Sequence, residues 1–273
     1  MTLIVFYEPL RILFVRSIHD EINDYILIVP LVSAYFFYLK RKEIFSNNKY
    51  SFKTGIGVII LGVTFYLIGM SQENRLNQND DLSIITLSSV IIWLGGFVLF
   101  YSLEAFRKAI FPLMFLFFMV PIPTLLMEKI ISILQEGSAE ATFILFQLSG
   151  VPVLREGFIF HLPNLSIEVA KQCSGIHSGI ALFITSVIAG KLFLLTGWRK
   201  WLLILFVFPI AIMKNGLRIV ILTLLGNNLD ERILSGSLHR QGGIPFFLLA
   251  VLLLMMVLWL LRRSEKMVRP NAT

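Results

Sequence analysis

The chain has 273 residues, of which 56% are apolar and only 15% charged, and its mean hydropathy is +0.80. Soluble globular chains carry about 45–50% apolar and about 25% charged residues, so an ordinary soluble enzyme and a disordered chain are both excluded. The net charge of +7 does not call for nucleic acid, because the basic residues collect in loops on one side of a series of apolar runs, as membrane topology requires.

Seven apolar stretches follow in chain order, at about 25–39, 54–70, 82–101, 109–127, 175–195, 201–225 and 243–261. At about 20 residues per span they take up roughly 140 residues and leave no room for a large soluble domain. The stretch 2–15 is an eighth candidate, interrupted by Glu8, Pro9 and Arg11. It either spans or lies in the interface as an amphipathic anchor, and it has no small-residue cleavage site of the signal-peptide kind. The expected fold is an all-α polytopic membrane protein with seven or eight transmembrane helices. A small extracytoplasmic β-meander precedes the single cysteine.

Orientation follows from charge. One side receives Lys40, Arg41, Lys42, Lys49, Lys53, Arg107, Lys108, Lys191, Arg199, Lys200, Arg262, Arg263, Lys266 and Arg269, fourteen of the 24 basic residues. The other side receives only Arg75, Lys129, Arg155, Lys171, Arg232 and Arg240, together with Asp20, Glu21, Asp24, Glu73, Asp80 and Asp81. The positive-inside rule places the first side, and the C-terminus, in the cytoplasm. The stretch 128–172 is then extracytoplasmic. Its first part, 128–148, reads as a surface-lying helix because it contains Glu136, Gly137 and Glu140. Its second part reads as short strands at Val153-Leu154, 158–162 and 165–169, separated by turns at Arg155-Glu156-Gly157 and Leu162-Pro163-Asn164.

Three chemically capable groups fall on that outer face. Cys173 heads Cys173-Ser174-Gly175-Ile176-His177-Ser178-Gly179, at the start of a span. There the unsatisfied N–H groups of the helix favour thiolate, and Gly175 would admit a substrate backbone. The alternative is a small-xxx-small packing motif of Gly175 and Gly179, with Cys173 as buried filler in a scaffold subunit. Arg218 lies within Lys214-Asn215-Gly216-Leu217-Arg218, and Lys214, Asn215 and Arg218 share a helical face. Intramembrane cations are expensive and mostly functional, the alternative being a snorkelling side chain near the boundary. His239, in Ser237-Leu238-His239-Arg240, precedes the last span. A thiol and an imidazole generate a nucleophile, and a guanidinium stabilises the oxyanion that forms when a carbonyl is attacked.

The competing pair is Cys173 with His177, one helical turn apart, as thiol and base or as metal ligands. His177 would lie one turn deeper than Cys173, toward the packing around Gly179. Two ligands fall short of a tetrahedral zinc site and no Cys-x-x-Cys or His-Glu-x-x-His pattern supplies the rest, so no metal is expected. His161 and His19 read as structural or solvated. A transporter or channel with an anion pathway at Lys214 and Arg218 is the non-enzymatic rival. It requires ionisable residues continuing across several spans, and the sequence has few.

At these residues the chain resembles the exosortase/archaeosortase family of membrane-embedded cysteine transpeptidases. The resemblance rests on Pro121-Ile122-Pro123, Gly150-Val151-Pro152-Val153, Glu168-Val169-Ala170, Cys173-Ser174-Gly175-Ile176, Asn215 with Arg218, and His239. It implies one integral-membrane domain over 1–273, with N-terminal spans in 1–110, the site landmarks in 111–243, and the last span and basic cytoplasmic tail in 244–273. It implies a catalytic set of Cys173, Arg218 and His239, with Glu168, Asn215, His177 and Lys214 in support or binding substrate, and no cofactor. Related sequences often carry Arg where His177 stands here. The implied partners are exported proteins with a C-terminal sorting tail: a short motif, a hydrophobic helix that enters from the lipid, and a basic end. The implied location is the inner membrane.

The topology has a direct test. In a background lacking Cys173, a cysteine placed at Gln72 should react with a membrane-impermeant maleimide in intact cells, and one placed at Ser46 only after lysis. Reversed labelling would put Cys173 in the cytoplasm.

Overall fold

The computed structural model describes residues 6–20, 22–46, 50–72, 76–163, 165–228 and 243–268. The chain divides into two compact units, Met1–Met127 and Glu128–Thr273.

In the first unit, α1 (Tyr7–His19) leads through a 3-10 turn (Asp24–Leu27) to α2 (Val29–Ile44), α3 (Phe52–Gln72), α4 (Gln78–Lys108) and the short α5 (Ile110–Phe115). The first apolar run, expected over 25–39, is therefore helical only from Val29. Proline in the first turn of α2 pre-sets φ there, and Arg41 and Lys42 in its last turn complement the helix dipole. The helix thus runs on past the apolar residues.

Glycine writes the seam between α3 and α4. Gly55, Gly62 and Gly69 recur every seven residues. A Cβ on them would lie 2.5 Å from Leu99 Cβ, 2.6 Å from Ile92 Cγ1 and 3.0 Å from Ile84 Cγ2. Lipid tails are as apolar as leucine, so helices in a bilayer associate through close van der Waals contact, which such small residues permit. The pairing is antiparallel: the Leu103 N–H donates to Ser51 Oγ (3.4 Å), at the end that carries Lys53, Arg107 and Lys108. Three residues assigned by sequence to the cytoplasmic side thus share one end of the hairpin. Near that end α4 breaks at Ser102, whose φ of 76° is left-handed. Its hydroxyl accepts from the Ala105 N–H (3.4 Å) and caps the helix that restarts there.

The second unit is entered along α6 (Thr124–Leu148). A three-stranded antiparallel meander follows, of β1 (Leu154–Glu156), β2 (Ile159–His161) and β3 (Ser166–Glu168) in the order β1-β2-β3. The register pairs Arg155 with Phe160 and Phe160 with Ile167. A 3-10 turn (Lys171–Ser174) then delivers the chain to α7 (Ile176–Phe193), α8 (Gly197–Asn228) and α9 (Gly243–Val268). Phe160 and Val169 are fully buried with Ala139 and Phe146 of α6 and Val220 of α8. Helices α7, α8 and α9 close over Leu182, Leu203, Val207, Ala250 and Leu254.

The turn from α7 into α8 is clasped by an acid within the nominally basic tail. Glu265 is buried and accepts from the N–H groups of Leu195 (3.0 Å) and Thr196 (2.6 Å) and from the Thr196 hydroxyl. Arg199, also buried, lies 3.4 Å from the same carboxylate. A carboxylate at a helix N-terminus satisfies orphan donors and complements the dipole, so its burial is compensated.

Among the described residues five helices are long and apolar enough to cross a membrane, against the seven or eight expected: Phe52–Ser71, Gln78–Lys108, Lys171–Phe193, Gly197–Asn227 and Gly243–Met267. A sixth arises if the bent pair Ile110–Met119 and Thr124–Leu148 forms one broken span. Both α1 and α2 are shorter, at 13 and 16 residues.

The glycine seam gives a stability prediction. At Gly55 the added methyl would meet Leu99 Cβ, Cα and N at 2.5–2.7 Å, a contact with backbone that no rotamer relieves. Gly55→Ala should lower unfolding stability in detergent by about 1–3 kcal/mol, the usual cost of overpacking. Gly57→Ala, with nothing within 4 Å, should be neutral or slightly stabilising. Equal thermal shifts for the two variants would contradict the seam.

Candidate active site

The site is assembled on α8, which receives the Cys173 turn. Gly175 ends that turn with φ +77° and ψ 18°, the left-handed conformation that residues with a Cβ seldom adopt. A Cβ there would meet the side chain of Asn215 at 3.2 Å and Lys214 Nζ at 3.4 Å. It is the protein's own amide and ammonium that approach the glycine. Gly179 has only Leu134 near its open face, at 3.9 Å, so no tight Gly175/Gly179 helix seam forms.

Two consecutive residues of α8 hold the turn by its carbonyls. Asn215 Nδ2 donates to the Cys173 carbonyl (2.6 Å) and to Ser138 Oγ of α6 (3.0 Å). Lys214 Nζ donates to Ser178 Oγ, which in turn donates to the Gly175 carbonyl (3.0 Å). Asn215 and Lys214 are only 1% and 4% exposed. Buried polar groups this deep are tolerable only when bonded, and each bond left unmade would cost about 1–3 kcal/mol. Asn215 Oδ1 is the exception: it is buried and has no hydrogen-bond partner among the described residues.

Small residues let α6 and α8 come close enough for these bonds. A Cβ on Gly216 would lie 2.8 Å from Ala141 Cβ and 3.2 Å from the Thr142 N. One face of α6 presents Gln135, Ser138 and Thr142, all buried, while Glu136 and Glu140 are exposed. Glu140 pairs with Arg155 of β1 at 2.8 Å. Gln135 Nε2 donates to the Val169 carbonyl (2.7 Å) and fixes the chain where it leaves β3. The acidic residues read from sequence as signs of a surface helix are one face of an element whose other face carries the site.

A cavity of about 270 Å³ lies between β3 and α8. It is lined by Ser166, Ile167, Glu168, Val169, Cys173, Asn215, Arg218, Ile219, Leu222 and Thr223. Four of the seven residues singled out in the sequence, Cys173, Arg218, Glu168 and Asn215, therefore share one chamber. Arg218 sits one turn beyond Lys214, half-buried, on the face that Asn215 also uses. Lys214 is behind the turn rather than in the chamber. His177 is exposed on the first turn of α7 and does not line the cavity. This corrects the expectation that it points into packing around Gly179. His239 lies outside the described residues. His161 bonds Ser166 Oγ (2.8 Å) across the sheet, and His19 bonds the Val15 carbonyl (2.9 Å), so both have local partners. Among the described residues, no group of three or more His, Cys, Asp or Glu side chains stands together as a metal site.

Sequence reasoning missed Gln135, Ser138 and Ser178. Their signal was present: Gln135, Ser138 and Thr142 recur at intervals of three and four, the spacing of one helical face.

Cys173 and Arg218, both half-buried, line one chamber among helices of membrane-spanning length, which defines a membrane-embedded protein with a candidate nucleophilic site. The transmembrane exosortase family model matches residues 17–256, most of the chain, and the protein belongs to that family. No curated protein and no solved structure matches it.

Proposed function

We propose that this exosortase is a cysteine protease or transpeptidase. It cleaves the C-terminal, PEP-CTERM-like sorting tail of exported proteins at the extracytoplasmic face of the inner membrane. The observation that carries the reading is the shared chamber. The chain's single cysteine and Arg218 both line the cavity, and the Cys173 carbonyl is held by Asn215. Fixing the backbone at this carbonyl suits a nucleophile that must be aimed.

In this reading the Cys173 thiol gives its proton to His239, and the sulfur adds to the scissile carbonyl carbon. Arg218 stabilises the oxyanion that forms. Collapse of the tetrahedral intermediate breaks the C–N bond, and the leaving amine takes its proton from His239. A thioester remains on Cys173. Water or an acceptor amine attacks it and restores the thiol. Lys214 and Asn215 support the turn that carries the sulfur, and Glu168 lines the approach. An anion pathway finds less support, because Lys214 and Asn215 are engaged in holding the Cys173 turn.

Turnover of a tailed substrate by purified variants in liposomes tests the roles. Cys173→Ala should abolish cleavage with no change in the amount of folded protein. Arg218→Lys should be severely impaired, since an ammonium cannot reproduce the guanidinium fork. His239→Ala should lose about 10²-fold or more, the usual scale for a general acid–base group. His177→Ala should keep measurable activity, in line with its exposed place outside the cavity. A dead His177→Ala beside an active His239→Ala would reverse the assignment of the base.

A further inference from the structure

We infer that the outer edge of β3 is the substrate-binding edge: the segment flanking the scissile bond joins the meander there as a fourth, extended strand. The inference rests on the reading of Cys173 as nucleophile and specifies how the peptide is held for it.

Alternation of the ladder gives the first argument. Leu162 and Leu165 exchange backbone bonds, and the Val169 N–H donates to the Phe158 carbonyl (2.9 Å). The backbone groups of residues 165, 167 and 169 therefore face β2, and those of Ser166 and Glu168 face the opposite edge. The Glu168 carbonyl accepts from the Ala170 N–H (3.0 Å). The edge thus presents the Ser166 N–H, the Ser166 carbonyl and the Glu168 N–H. Among the described residues β3 has β2 as its only strand neighbour.

Position gives the second argument. The cavity is lined by four consecutive residues, 166 to 169. Side chains of a strand alternate between faces, so a run of four meets one chamber when the strand turns its edge to it. The same chamber contains Cys173 and Arg218, five residues beyond β3 on one side and on α8 on the other. A peptide paired with β3 would run directly past the thiol.

Main-chain pairing supplies affinity without demanding particular side chains, and pockets for alternate residues add selectivity.

The test uses proline. The Ser166 N–H is not needed for pairing with β2, so Ser166→Pro keeps the meander and blocks the edge. The probe is a reporter bearing a tripartite C-terminal tail from an exported protein of the cell that makes this enzyme. Ser166→Pro should cut tail cleavage at least ten-fold, while Cys173 in the purified variant is alkylated by iodoacetamide at the parental rate. A second measurement reads the substrate side. The same tail, made semisynthetically with one backbone amide N-methylated at a time, should show alternating sensitive and tolerant positions around the scissile bond. Parental cleavage by Ser166→Pro, or an N-methylation profile without alternation, overturns strand addition while leaving Cys173 as nucleophile. Cleavage that survives Cys173→Ala overturns the reading of the site and strand addition with it.

Discussion

The hydrogen bond from Asn215 to the Cys173 carbonyl is the constraint on which the site depends. It joins a turn to a helix at 2.6 Å, and the same amide reaches Ser138 on a third element. Cys173 and Arg218, which line the same cavity, are thereby both referred to α8. Remove that amide and the turn would keep the relay from Lys214 through Ser178 and its own backbone bonds, but the Cys173 carbonyl would lose its tie to α8. Adjacent residues on one helix grip the carbonyls on either side of Ser174, which restricts the turn more tightly than either bond alone.

The polarity of this arrangement would be costly in a bilayer if it were not internally satisfied. Buried ammonium and amide groups are compensated here by bonds to hydroxyls and carbonyls, and the apolar residues of the same helices face outward. Leu205, Leu252 and Met255 are exposed on α8 and α9, as lipid-facing side chains should be. The same logic runs through the rest of the chain. Glycine at seven-residue intervals brings α3 and α4 into contact, and small residues of α6 do the same against Gly216. The Glu265 carboxylate closes the opposite end of α8 from the site. Each device substitutes packing or a hydrogen bond for the hydrophobic drive that a lipid environment removes.

Much of this was legible in the residues alone. Five of the seven expected stretches coincide with helices of membrane-spanning length among the described residues, because hydropathy follows from the cost of moving polar groups into hydrocarbon; the helix at 29–44 is shorter, and 109–127 falls in a bent pair. The turn residues around Gly157 and Pro163 located the second and third strands, while the first runs on through Arg155 and Glu156, which had read as turn. Cys173, Arg218, Asn215 and Glu168 were readable as a set by residue chemistry and by resemblance. What the sequence concealed were contacts between elements. Nothing local to Gln135 announces that it holds the Val169 carbonyl, and Glu265 is hidden among arginines and lysines. The left-handed backbone of Gly175, with Asn215 and Lys214 packed close to it, was likewise not readable from the sequence. His177 was placed by helical periodicity in the packing, yet it sits in the first turn of α7, where the chain has only just entered the helix and side chains remain exposed. Periodicity specifies which face a residue shares, and only packing decides what that face meets.

The central claim is that the Cys173 sulfur becomes acylated by the substrate. Purified enzyme mixed with a tailed substrate and quenched in acid within the first turnover should yield a Cys173 peptide heavier by the substrate's N-terminal fragment. Mass spectrometry should show that adduct disappear on treatment with neutral hydroxylamine, as a thioester does. Continued turnover with Cys173 unmodified, or an adduct carried by another side chain, would contradict the account.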